Sequence, residues 1–190
     1  MKRIICLLSA FTLLSLSAFG QEEGKSKYNL PYKNTYNKEP LVTENEFRTA
    51  KAWNQKPLSF QEARKKLPSP VWTGHDTEIE KYWKAWETAW SNIRQPEPGS
   101  GFVSPYLDIA YNGNIFMWDM AFMMMFAHYG NQVFPFVNSM DNFYSHQHPD
   151  GFICREIRAD GSDCFERYDP VSTGPNLLPM AEMKFFRQYG

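Results

Sequence analysis

The stretch "NIFMWDMAFMMMFAHYG", Asn114 to Gly130, decides how the rest of the chain is read. It is apolar nearly all round, and a helix of that kind is enclosed by other helices rather than laid on a surface. The pattern predicts an interior helix over residues 115–129, stopped by Gly130 as its C-cap. Met117, Met120, Met123, Met124 and Met125 stand at helical spacing, which suits filling of a core better than binding of a soft metal. One carboxylate, Asp119, sits inside this run. Burying it alone costs several kcal/mol, so it is expected to be hydrogen-bonded, protonated or turned to a polar cavity.

Working outward, a further helix is expected over about residues 132–145, and the tight connection at Gly130 implies an antiparallel helical hairpin. An irregular stretch follows, with a possible short β-hairpin around Asp160-Gly161. A last helix is expected over residues 176–189. It ends "FFRQYG", an echo of "FAHYG" sixty residues earlier, and suggests a repeating unit of two helices and a loop. Upstream, "DTEIEKYWKAWETAWSNI" carries Ile79, Trp83, Trp86, Trp90 and Ile93 at three- and four-residue steps, with Asp76 placed as N-cap. Indoles at that spacing read as core packing before sugar stacking. The fold class expected is all-α, with irregular loops.

The beginning of the chain differs in kind. Lys2 and Arg3 precede the apolar run "IICLLSAFTLLSLSAF", and Ala18 and Gly20 occupy the small positions of a cleavage site, so residues 1–20 read as an export signal cut after Gly20. The run is shorter than the ~20 residues of a spanning helix, so no stable membrane anchor is expected. The mature protein is expected in the periplasm or outside the cell. Residues 21–70 are polar and rich in Lys, Asn, Glu and Pro, an extension before a domain over residues 71–190.

Composition narrows the function. With 43% hydrophobic and 16% aromatic residues the chain has ample surface for a core. Loss of Lys2 and Arg3 from 20 basic residues, against 21 acidic ones, leaves a net charge of −3, which does not favour polyanions. Without a basic stripe, a phosphate loop or paired zinc cysteines, nucleic-acid and nucleotide partners drop out, and no cofactor is implied. His146, Gln147, His148 and Asp150 read as a polar loop rather than metal ligands. Cys154 and Cys164, ten apart around Asp160-Gly161, are expected to be bridged in an oxidising compartment, stabilising by about 2–3 kcal/mol, with two free thiols as the alternative.

Near Asp119 stand Trp118 and, in the following loops, Gln147, Asp150, Arg155, Glu156, Asp163, Glu166 and Arg167. A sugar shows a C–H face to an aromatic ring and hydroxyls to carboxylates, amides and guanidiniums, so this company suits a carbohydrate. "NIFMWDMAF" resembles the aromatic-x-Trp-Asp-x-aromatic signature of the (α/α)6-barrel glycosidases: the trehalases, glycoside hydrolase family 63 and its mannosylglycerate-hydrolase-like relatives. "HQHPDGFICREI" is similar to the Gln-x-Pro-Asp-Gly segment of that group, and "STGPNLLPMAEMKFF" to its next helix.

The resemblance covers roughly residues 104–190 and implies the N-terminal part of a six-hairpin toroid. It implies an inverting glycoside hydrolase in which Trp118, Asp119 and Gln147 hold the sugar at the cleaved position. Asn112, Arg155 and Glu156 join the candidate substrate site from position and chemistry. "AYNGN" stands where trehalases carry Gly-Gly-Arg-Phe, so trehalose is not implied. The resemblance places the catalytic acid and base beyond residue 190, which leaves the catalytic residues unassigned here. A non-catalytic carbohydrate-binding protein on the same scaffold is the alternative.

Overall fold

In a computed structural model the described residues are 40–190, apart from 54, 110, 167, 168, 170–173 and 175. The expected signal and the first part of the polar extension lie outside the described residues.

The described part is mostly helical. Helix α1 (Phe60–Arg64) is started by Ser59 in a capping box: the Glu62 amide donates to the Ser59 hydroxyl, and the Ser59 amide donates to the Glu62 carboxylate at 3.1 Å. Helix α2 (Asp76–Ser91) buries Trp83, Trp86 and Trp90 along the face its spacing predicts. Asp76 is its first helical residue rather than its cap; His75 takes the cap position without a side-chain hydrogen bond, and the Asp76 charge meets the positive end of the helix dipole. Trp90 Nε1 donates to the Leu58 carbonyl at 2.7 Å, so the indole that packs the core also holds the segment leading into α1.

Segment 40–70 packs on the residues that follow it. Val42, Ala63 and Leu67 are buried, and the contacts group residues Asn34–Gly190 as one unit.

Two short antiparallel sheets interrupt the helices. β1 (Ile93–Arg94) pairs with β2 (Tyr106–Leu107) across the Pro- and Gly-rich break. β3 (Ile115–Phe116) pairs with β4 (Glu156–Ile157), Ile115 opposite Ile157 and Phe116 opposite Glu156. That pairing extends the backbone at 115 and 116, so helix α3 (Met117–Ala127) begins two residues later than its apolar run suggests. It also takes β4 out of the expected local hairpin; around Gly161 there remains one bridge, Ile157 to Asp163. Gly161 has φ +87°, and a Cβ there would stand 1.8 Å from the Ser100 carbonyl oxygen, so only glycine fits this turn against its neighbour.

Gly130 does not cap α3 in a left-handed conformation. It closes a 3₁₀ turn, His128–Gly130, and its missing side chain makes room for Trp86 and Leu67, which a Cβ would approach to 2.8 and 2.9 Å. The helix expected over 132–145 is divided as well. Pro135, with no N–H to give, precedes a 3₁₀ turn at Phe136–Met140, and helix α4 covers only Asp141–Ser145. Helix α5 (Leu178–Tyr189) opens with Pro179 in its first turn, where the missing N–H is harmless.

The core is aromatic: Trp86 meets Phe126 edge-on at 5.4 Å, and Trp90 meets Phe136 edge-on at 5.5 Å. Asn142 is buried with both ends of its amide engaged, accepting from the Val103 and Ser104 amides and donating to the Ser104 carbonyl.

Helix α3 is not enclosed on all sides. Met117, Met120, Ala121, Met124 and Ala127 face the core, whereas Trp118, Asp119, Phe122 and Phe126 are exposed. Helix α5, packed on α3 through Leu178 and Ala181, likewise exposes Met183, Phe186 and Tyr189.

Candidate functional site

The exposed flank of α3 forms one wall of a cleft of about 160 Å³ lined by Phe116, Met117, Trp118, Asp119 and Arg155. The β3–β4 pairing builds it. The Met117 amide at the start of α3 donates to the Arg155 carbonyl at 2.8 Å, so the loop carrying Arg155 is tied to the first turn of the helix carrying Trp118 and Asp119. Arg155 spreads its guanidinium over the Phe165 ring at 3.8 Å, a cation–π contact that fixes its plane. The Trp118 ring is 45% exposed. Asp119 is exposed too and makes no hydrogen bond or ion pair among the described residues, so the expected burial cost does not arise. The carboxylate stays hydrated beside an open indole.

Three of the six expected substrate contacts thus come together: Trp118, Asp119 and Arg155. Gln147 does not join them, contrary to expectation. Its Oε1 accepts from Asn45 Nδ2 at 2.8 Å, and its Nε2 donates to the Gly151 carbonyl at 3.2 Å, so the amide is spent on holding segment 40–53 and the Pro-Asp-Gly turn in place. Glu156 lies outside the lining as well. On β4 its Oε1 accepts from Asn114 Nδ2 at 2.8 Å.

Asn112 lines a second cleft, of about 340 Å³, together with Arg94, Glu97, Asp108, Tyr111 and Gly113. There Asp108, with its side chain 1% exposed, accepts from Arg94 Nε at 3.1 Å through Oδ2, while Oδ1 is buried with no partner among the described residues. Beside it, the Tyr106 hydroxyl donates to the Gly113 carbonyl at 2.8 Å, and burial together with the Asp108 charge pushes the phenol up to about 12. Sequence reasoning missed this ion pair. No local signal marks it, because the two residues meet only through the β1–β2 ladder, in which Arg94 stands opposite Tyr106.

The bridge expected between Cys154 and Cys164 is not formed: both are free thiols. The Cys154 Sγ donates to the Glu156 carbonyl at 3.1 Å, while the Cys164 Sγ accepts from Asn114 Nδ2 at 3.7 Å. Each sulfur is thus engaged with Glu156 or its partner Asn114. Burial raises both thiols, and burial beside the Glu156 carboxylate brings Cys164 to about 11.

A further acidic pair, also unforeseen, lies between α4 and α5. The Tyr144 hydroxyl donates to Glu182 Oε1 at 3.2 Å. Burial, reinforced by the Glu182 charge, raises Asp141 to about 7, and burial raises Glu182. Neither carboxylate lines the two clefts.

Among the described residues no group of His, Cys, Asp and Glu is arranged to hold a metal ion, and no helix is long and apolar enough to cross a membrane. Compared with models of known families, with curated proteins and with solved structures, the chain matches none.

Proposed function

We propose that the chain is part of an exported glycoside hydrolase of the six-hairpin (α/α)6 type, acting by inversion, and that the Trp118 cleft is its sugar subsite. One observation carries the reading: an open indole, a hydrated carboxylate and an aromatic-stacked guanidinium line the same cleft. The ring offers an apolar platform to the C–H face of a pyranose, Asp119 accepts from its hydroxyls, and Arg155 donates to them. The ordered motifs around Trp118-Asp119 and the Pro-Asp-Gly turn support the same class. The exposed apolar flanks of α3 and α5 are what neighbouring hairpins of a toroid would cover.

A second reading, a carbohydrate-binding protein without catalysis, is favoured by one feature of the cleft. Inversion requires two carboxyl groups about 6.5–9.5 Å apart across the scissile bond. Asp119 is the only carboxylate among the described residues lining this cleft.

Titration of the full chain with mono- and disaccharides, alongside product analysis on aryl glycosides, tests both. The expected outcome is sugar binding that Trp118→Ala and Asp119→Asn each weaken by roughly tenfold, equivalent to about 1.4 kcal/mol. Sugar release identifies the hydrolase, and binding without release the binder. Affinity indifferent to both substitutions would exclude this cleft as the site.

A further inference from the structure

We propose that the cleft around Arg94, Asp108 and Tyr111 is a second sugar subsite, so that the ligand of this protein is an oligosaccharide of neutral sugars and not a monosaccharide. The inference rests on the sugar reading of the Trp118 cleft and extends it.

The cleft has the volume for such a role. At about 340 Å³ it is roughly twice the Trp118 cleft and lies within the ~300–1,000 Å³ typical of small-molecule sites. Its chemistry is built from the inside out. Asp108 is a wholly buried carboxylate held by a single hydrogen bond, with Oδ1 left unpartnered among the described residues. An apolar side chain in its place would serve the core better, and departures of this kind from local packing rules gather at functional sites. What Asp108 achieves is the placement of Arg94. It takes the Nε hydrogen and leaves both Nη groups of a half-exposed guanidinium without a partner at the cleft. Such a planar fork bridges neighbouring hydroxyls.

The rest of the lining completes a polyol site. Tyr111 presents a ring that is 78% exposed, a platform for a sugar face. Asn112 spends its Oδ1 on the Asn114 amide and keeps its Nδ2 to donate, and Glu97 supplies an acceptor. One cation against two carboxylates, Asp108 and Glu97, disfavours a phosphate, a sulfate or a uronate and leaves a neutral ligand.

Tyr111 also links the two clefts. Its ring stands edge-on to Phe116 at 6.5 Å, and Phe116 lines the Trp118 cleft. A chain of sugars passing over this aromatic pair sets one unit against Trp118 and the next against Tyr111.

The test is calorimetric titration of the full chain with glucose and mannose, and with the disaccharides and trisaccharides built from them. The wild type is compared with Trp118→Ala, Tyr111→Ala and Arg94→Gln. Tyr111→Ala removes a largely exposed ring whose one aromatic contact is with Phe116 and should leave the chain folded, so it carries the test even if Arg94→Gln, which orphans Asp108, fails to fold. The expected result is tighter binding of the longer sugars, weakened roughly tenfold by Tyr111→Ala and by Arg94→Gln, with monosaccharide affinity unaltered by either. Trp118→Ala should weaken both classes. Longer sugars that bind no tighter than monosaccharides, or bind tighter but are indifferent to Tyr111→Ala, would overturn the second subsite while leaving the first in place. If the wild type binds none of these sugars, both readings fall.

Discussion

Asp119 shows what a single residue in a sequence can and cannot disclose. The cost of burying a lone carboxylate marks the position as unusual, and that argument is sound. It is resolved by exposure, because one flank of α3 is open to solvent, and the density of methionine in the stretch conceals this. Gly130 gives the opposite case. Its place after an apolar run reads as a helix stop, whereas its conformation is ordinary and its need is for space against Trp86 and Leu67. Gly130→Ala should therefore destabilise by about 1–3 kcal/mol through overpacking, read from the denaturant midpoint at unchanged slope. A neutral or stabilising effect, as expected for glycine replaced in an unstrained and roomy turn, would show that the two side chains can move aside.

Among the elements, legibility followed the range of the interactions that make them. The indole face of α2 depends on residues three or four apart and is plain in the sequence. β3 depends on a partner some forty residues on, so nothing local distinguishes Ile115-Phe116 from the helix that follows. The same holds for the clefts: Trp118 and Asp119 are adjacent in sequence and were found, whereas Arg94 and Asp108, or Asp141 and Glu182, meet only through tertiary packing.

The last pair has a measurable consequence. Asp141 is raised in the folded state to about 7, from about 3.9 when unfolded, by burial and then by Glu182. Between those values the folded state holds a proton that the unfolded state has released, so stability falls as pH rises from about 4 to about 7 and levels off above. Asp141→Asn should flatten that part of the curve, removing a loss on the order of 4 kcal/mol, in urea melts across the range. A profile unchanged by the substitution would assign the pH dependence elsewhere.

At the scale of the whole molecule, the described chain combines a well-packed aromatic interior with two apolar flanks, Trp118, Phe122 and Phe126 on α3 and Met183, Phe186 and Tyr189 on α5, Phe186 being 63% exposed. Contiguous apolar surface of this kind drives association when nothing covers it. Light scattering should report concentration-dependent self-association of this chain, reduced by Phe122→Ser combined with Phe186→Ser; a monodisperse parent would contradict it. The β3–β4 pairing carries a consequence of another sort, in the order of events during folding. Helix α2 nucleates from contacts within its own sixteen residues, but the strands Ile115–Phe116 and Glu156–Ile157 meet only after the intervening chain has closed, at an entropic cost that local structure does not bear. The cleft that depends on this pairing is therefore expected to form after helix α2, so that a refolding chain gains α2 helicity before it can recognise a ligand.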